Sequence, residues 1–331
     1  MRSLPSRSRP DDAELLLLEG TRRLVLGPVL GRGSLGVVRL AELGSAYGVR
    51  RRVAVKIFDT IFTSDGDGAA AISRAVRHAA CVQHPNVVAV HELSVMGDHP
   101  YVISELVEGV SLATLLGAYR SVSRRVPLDL GLFVAIEIAE GLAGARAAKN
   151  PEGKVLSMSH HDLSMRQVLL SWSGEVKVTD FGLRAAGMGS SGIRPAAMSA
   201  AMTLANVAPE VIRGHRGDAR SDVFSLGVVL HEMLRAPRFR AGLSDMETFD
   251  WAKRGDIHRS VSEPMLPSSV AAIVDRALAP DPRDRPAHAG VLAYDLRRAA
   301  LSLGVSDGRA FLASALFEMT EGMLPAHDTE G

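Results

Sequence analysis

A chain of 331 residues with 47% hydrophobic and 23% charged side chains has an ordinary globular balance, which excludes wholesale disorder and fibrous structure, and its length suits a single domain of two lobes at least as well as two separate domains. A net charge of +1, with no long basic block and no interleaving of basic and aromatic residues, gives a nucleic-acid partner no electrostatic support. The single cysteine, Cys81, excludes a disulfide framework and a thiolate metal cluster, fits a cytoplasmic setting, and is expected as a small core residue.

Residues 1–22 read as an N-terminal tail. Met1 to Pro10 is basic and Ser/Pro-rich, Asp11, Asp12 and Glu14 follow, and the apolar run Leu15 to Leu18 is too short for a signal-peptide core. No later segment has the roughly 18 uncharged apolar residues of a membrane span, so a soluble protein with no membrane partner is expected. From Leu24 the runs LVLGPVL, VVRLAEL and RRVAVKIF predict three successive antiparallel strands. Ile72, Val76, Ala79 and Ala80 fall on one helical face, and Val87 to Val90 and Tyr101 to Ser104 predict two further strands.

Beyond Glu105 the periodicity becomes helical. Leu132, Ile136, Ala139 and Leu142 form one apolar stripe, and Val223 to Leu234 and Val270 to Ala279 form others. A β-hairpin interrupts them, with VLL at 168–170 and EVKV at 175–178 joined across Ser171 to Gly174. After Leu301, Phe311, Leu312, Leu316 and Met319 predict an amphipathic tail helix.

Residues 31–36 read GRGSLG, a pattern that two unrelated folds share. A dinucleotide-binding unit would need the glycines to open a helix and an acid about 20 positions on, but VVRL continues as a strand and positions 50–52 are all arginine. The Gly-Lys-Ser/Thr of a Walker loop is also absent. What remains is a flexible hairpin whose backbone amides can close over phosphates. VAVK then ends at Lys56 on the third strand, in a chain with only five lysines, Lys56, Lys149, Lys154, Lys177 and Lys253.

HHDLSMRQVLL at 160–170, followed by strand, turn, strand and TDFGL at 179–183, resembles the catalytic loop and the Asp-Phe-Gly segment of protein kinases. The stretch is most similar to the bacterial Ser/Thr protein kinases of the eukaryotic type. The resemblance runs from Leu24 to about Ala300 and includes His84-Pro85-Asn86, Glu105-Leu106-Val107, Ala208-Pro209-Glu210, SDVFSLG around Asp222, and Arg285 in PDPRDRP. It implies an α+β, two-lobed protein kinase fold: an N-lobe at 23–104, a small antiparallel sheet plus one helix; a larger, mainly helical C-lobe at 105–300; and a tail at 301–331.

Carried over position by position, the resemblance implies that Gly31, Gly33, Gly36, Val38, Ala54, Lys56, Glu105, Val107 and Leu169 bind ATP. Asp162 would orient the acceptor hydroxyl, and Asp180 with Gln167 would hold Mg²⁺. Glu210 and Arg285 would form a structural pair. His160 is expected as a packed core histidine, because it and His161 are adjacent and rarely point to one ion. A phosphotransferase for small molecules fits less well, since PDPRDRP and SDVFSLG belong to the protein-kinase pattern.

Three positions depart from the family. Ala75 stands where the regulatory helix carries a glutamate, and the only acids between Lys56 and His91 are Asp59, Asp65 and Asp67, so no register restores it. Lys56 is thus expected to lack its orienting partner. Gln167 replaces an asparagine and displaces the amide oxygen by a methylene. His161 replaces the arginine that receives an activation-loop phosphate, so phosphorylation of Ser190, Ser191, Ser199 or Thr203 lacks its main docking charge unless Arg184 or Arg194 supplies one. The implied function is MgATP-dependent transfer to protein Ser/Thr at reduced rate. The alternative is a pseudokinase, a nucleotide-responsive module for a regulatory protein partner.

Overall fold

A computed structural model describes residues 14–17, 23–33, 35–45, 47–59, 66–96, 99–183, 206–234, 245–255, 266–305 and 307–322. The three early β-rich runs form β2 (Arg23–Gly33), β3 (Gly36–Gly44) and β4 (Arg50–Phe58), paired antiparallel in sequence order. Strand alternation sorts their side chains onto two faces. Leu24, Leu26, Ala41, Leu43, Val53 and Val55 join Tyr101 and Ile103 in a core on one face. Ala54, Lys56 and Val38, which pairs with Lys56 across the sheet, stand on the other.

Part of the expected tail belongs to this sheet. Glu14–Leu17 forms β1, antiparallel to β2 with Leu15 opposite Val25. Gly36 occupies the closest approach of β3 to β4: its φ is +143°, and a Cβ there would lie 2.0 Å from the Ile57 carbonyl oxygen. No side chain can be added at that point without separating the strands.

Helix α1 (Gly66–Ala79) follows, with Ile72, Val76 and Ala79 buried, while Ala80 lies just past its end and is exposed. Strands β5 (Val90–Met96) and β6 (His99–Glu105) complete the sheet in the order β1-β2-β3-β4-β6-β5. The run Val87 to Val90 is not a strand in its own right. Val87 bridges to Val178, and the Val88 N–H donates to the Val178 carbonyl at 2.9 Å, so this segment ties the small lobe to the large one.

The large lobe contains α2 (Leu112–Ser121), α3 (Leu128–Ala147), α4 (Pro209–Ile212), α5 (Ala219–Leu234), α6 (Asp245–Arg254), α7 (Ser268–Ala277), α8 (Ala289–Ser302) and α9 (Gly308–Thr320). Ser111 caps α2 by accepting the Thr114 N–H at 3.1 Å. Every residue of α5 except Arg220 is buried, more than a one-sided stripe implies, as befits a helix at the centre of a lobe. In α3, Leu132, Ala139 and Leu142 are buried and Ile136 packs against them.

The expected hairpin is β8 (Val168–Ser171) and β9 (Val176–Val178), and a short strand, β7 (Gly109–Ser111), joins it. Gly109 permits that third strand, because a Cβ there would lie 1.8 Å from the Leu170 carbonyl oxygen. The tail helix is present as α9. Leu312, Leu316 and Met319 enter the main core, whereas Phe311 stays exposed. Glu318 pairs with Arg124 at 2.7 Å, and Arg309 donates to the Ser173 carbonyl at 3.2 Å.

Cys81 is half-buried rather than in the core: it lies just past α1, where its thiol reaches the Arg77 carbonyl at 3.3 Å. The end of a helix leaves carbonyls unpaired by the helix itself, and the thiol takes one of them. Among the described residues no helix is long and apolar enough to cross a membrane.

Candidate active site

The loop at 160–167 is held from below by Asp222. Its carboxylate accepts the N–H groups of His160 and His161 at 2.7 and 2.9 Å from inside α5. Burial pushes the Asp222 carboxyl up to about 7, against the lowering effect of those two bonds. The His160 ring is fully buried against Phe181, with centroids 4.7 Å apart, as a core histidine should be. Its Nε2–H donates to the Thr179 carbonyl at 2.8 Å, leaving Nδ1 to accept the Asp162 N–H at 3.3 Å. Burial lowers its pKa to about 4, so it is neutral at physiological pH.

The Thr179 N–H donates to the Gln167 carbonyl at 2.9 Å, and the Gly182 N–H donates to that of His160 at 3.2 Å. Loop and Asp-Phe-Gly segment are therefore one hydrogen-bonded unit, which places Asp162 and Asp180 on the same platform. Among the described residues four non-glycine residues have left-handed φ, and two of them, His161 and Asp180 at +66°, stand here. Such conformations cost free energy and persist where the surroundings dictate them.

From the small lobe Lys56 reaches down to Asp180, Nζ to Oδ2 at 2.8 Å, with only 12% of its side chain exposed. The lysine expected to lack its orienting partner thus pairs with Asp180. Ala75 explains the arrangement. Helix α1 lies close in, with Ile72 and Val76 packed on Phe58, Val102 and Leu183. The Ala75 Cβ lies 3.9 Å from where a Gly182 Cβ would be. The inward position is occupied by a methyl group, so Ala75 offers Lys56 no carboxylate.

The glycine hairpin spans the β2–β3 turn, with Gly31 opposite Val38 and Gly33 opposite Gly36. Val38 pairs with Lys56, and Ala54 pairs with both Leu40 and Ser104, so Val38, Ala54 and Lys56 share one face. Glu105 ends β6 and leads into Val107, while Leu169 lies on β8 opposite Lys177. Lys177 stands outside every motif named above. Its Nζ meets Glu105 Oε1 at 2.8 Å. The signal that could have found it is the scarcity of lysine.

Mg²⁺ keeps several waters and needs only one or two protein oxygens beside substrate phosphates, so no preformed cage is required. Asp180 supplies a carboxylate here. The Gln167 amide oxygen already accepts the Ser164 hydroxyl. This donor set fits one cation shared with a nucleotide better than two.

His161 keeps an exposed edge, and its ring lies against Gly217. Desolvation of its inner side, and then the charge of Arg216, lowers its pKa, so it brings no cation to the place of the family's arginine. Ser190, Ser191, Ser199, Thr203, Arg184 and Arg194 lie outside the described residues. Farther below, Arg285 donates to both oxygens of Glu210 at 2.8 and 2.9 Å, and Ser221 donates to Glu210 at 2.6 Å. Burial alone would raise the Glu210 carboxyl, but these bonds hold it below its ordinary value.

A family model described as protein tyrosine and serine/threonine kinase matches residues 24–294. Tyrosine-protein kinase MasK of Myxococcus xanthus is 31% identical over 81% of this chain and 42% of its own length. A probable serine/threonine-protein kinase of Streptomyces coelicolor is 32% identical over 83% of this chain and 39% of its own. Serine/threonine-protein kinase PknB of Mycobacterium tuberculosis is 30% identical over 83% and 42%. The chain thus spans 39 to 42% of the length of these relatives.

Proposed function

Because this chain belongs to the protein kinase family, in its bacterial eukaryotic-type serine/threonine branch, we propose that it binds ATP with Mg²⁺ and transfers the γ-phosphate to a serine or threonine hydroxyl of a protein at reduced rate. The observation that carries this reading is the Lys56–Asp180 pair at 2.8 Å, set on the same hydrogen-bonded platform as Asp162. It brings a cation suited to phosphate and a carboxylate suited to Mg²⁺ to the same place. We assign the N-lobe to 23–104, the C-lobe to 105–300 and the tails to 1–22 and 301–331.

In this reading the amides between Gly31 and Gly36 cover the phosphates, Lys56 leaves Asp180 to hold them, and Asp162 orients the acceptor hydroxyl. Val38, Ala54 and Leu169 enclose the adenine, with Glu105 and Val107 at its edge. Mg²⁺, held by Asp180 and, after release from Ser164, by Gln167, would neutralise phosphate charge when bound. The reduced rate follows from Ala75, which leaves Lys56 without a fixed carboxylate. The same two features, the methyl group at Ala75 and the occupied oxygen of Gln167, favour a second reading, a pseudokinase that changes conformation with nucleotide and signals to a protein partner.

One pair of measurements separates the readings. MgATP at roughly 100 times its dissociation constant should raise stability by about 2.7 kcal/mol in a thermal shift series. No shift at millimolar MgATP defeats both. Radiolabelled ATP should then label the wild type and not Asp162→Asn. Equal signals in the two would leave only the interaction module.

A further inference from the structure

Five lysines serve the whole chain. Lys149, Lys154 and Lys253 are exposed, while Lys56 and Lys177 are largely buried: Lys56 of the small sheet pairs with Asp180, and Lys177 of β9 pairs with Glu105, the last residue of the small sheet. We propose that the Lys177–Glu105 pair is a clasp between β9 and the end of the small sheet. It holds residues 105–107 in register over Leu169, so that Lys177 acts as a positioning residue for the purine half of the nucleotide. The inference rests on the nucleotide reading above.

Glu105 is fixed at three points. Its Oε1 accepts from Lys177 Nζ at 2.8 Å, its Oε2 accepts the Ala89 N–H at 3.1 Å, and its own N–H donates to the Ala89 carbonyl at 2.8 Å. Lys177 is equally constrained. It lies opposite Leu169 between the buried residues Val176 and Val178, and the Val178 N–H donates to the Asn86 carbonyl at 2.8 Å. One rigid strand of the large lobe therefore grips the last residue of the small sheet. The adenine edge and the adenine floor are the two surfaces so joined.

A cavity of about 430 Å³ adjoins the clasp, lined by Arg52, Glu108, Trp172 and Glu175 together with the pair itself. Removing only the lysine would leave the Glu105 carboxylate half-buried beside this opening, with the Ala89 N–H as its remaining donor in this set. The carboxylate would turn toward water and take the 105–107 backbone with it. The other pair behaves differently. Lys56 and Asp180 are both wanted by phosphate and cation, so their pair opens on binding, whereas Lys177 and Glu105 have no phosphate to serve.

The two pairs thus predict different ligand signatures, readable by calorimetric titration of the full chain with AMP and with ADP. Lys177→Met should raise both dissociation constants by the same factor, about tenfold or about 1.4 kcal/mol, and Lys177→Arg should recover most of the loss. Lys56→Met should weaken ADP more than AMP. Glu105→Gln, which keeps an acceptor for Ala89, should reproduce the Lys177→Met pattern if that variant does not fold. AMP binding unchanged in Lys177→Met, a loss that grows with phosphate number, or no rescue by arginine would overturn the clasp. A wild type that binds neither nucleotide would overturn the nucleotide reading and the clasp with it.

Discussion

Asp222 and Arg285, below the candidate catalytic loop, are buried and richly bonded. Asp222 accepts two loop amides, and Arg285 donates to Glu210 and to the carbonyls of Ala279, Pro280 and Arg220. The α1 side of the same cleft is sparser. Ala75 presents a methyl group where the family has a carboxylate, and Lys56 turns to Asp180 instead. Backbone placement and local charge are thus separate properties. Groups remote from any ligand carry the first, and the second can thin out without disturbing it.

Breaking the lower half should have the largest effect. The Arg285 side chain is fully buried, so Arg285→Ala strands the Glu210 carboxylate and several carbonyls, and should cost about 3–5 kcal/mol in urea unfolding. A loss under about 1 kcal/mol would show that the lower half is not the scaffold described here. Restoring the upper half tests the other side. Ala75→Glu with Gln167→Asn should raise the transfer rate by about tenfold to a hundredfold, part of what one preorganised group contributes. The close approach of Ala75 to Gly182 already puts the new carboxylate inside the cleft. Normal MgATP binding with transfer no higher than the Asp162→Asn control would leave the interaction module.

The smallest effect concerns acid. Between pH 4 and 6.5 native His160 binds fewer protons than the unfolded chain, so its contribution to stability is present above 6.5 and is lost as pH falls toward 4. Asp222, raised to about 7, contributes in the opposite sense: its share is present at low pH and is lost as pH rises through 7. Acidification from pH 7 to 5 should therefore cost the wild type about 2 kcal/mol more than His160→Gln, and about 2 kcal/mol less than Asp222→Asn. Parallel pH profiles for the three proteins would mean that neither group titrates as its burial dictates.

The sequence was most legible where one residue type has one job. The Glu210–Arg285 pair is present as the resemblance implied, whereas the pairing of Lys56 with Asp180 was not foreseen. The burial of helix α5 was legible only through the resemblance of SDVFSLG to a buried helix, since its periodicity alone shows a stripe and its buried Asp222, His231 and Glu232 look like solvent-facing residues. Strand β5 was displaced because the apolar run from Val87 serves a contact between lobes, which periodicity cannot see. Lys177 and Ser164 were passed over for a related reason. Their partners, Glu105 and Gln167, lie on a distant strand and within one turn of loop, and neither distance leaves a pattern in the chain.

Helix α9 lies beyond the stretch that the family model matches, yet Leu312, Leu316 and Met319 enter the core shared with α3. The cooperative unit of this protein therefore extends past its recognisable kinase portion. A recombinant fragment cut after α8, at 302, would uncover the bed that α9 occupies and remove the contact of Arg309 with the β8–β9 turn. Such a fragment is expected to express as a sticky, less cooperative species, so boundaries for crystallography or assay belong after Thr320.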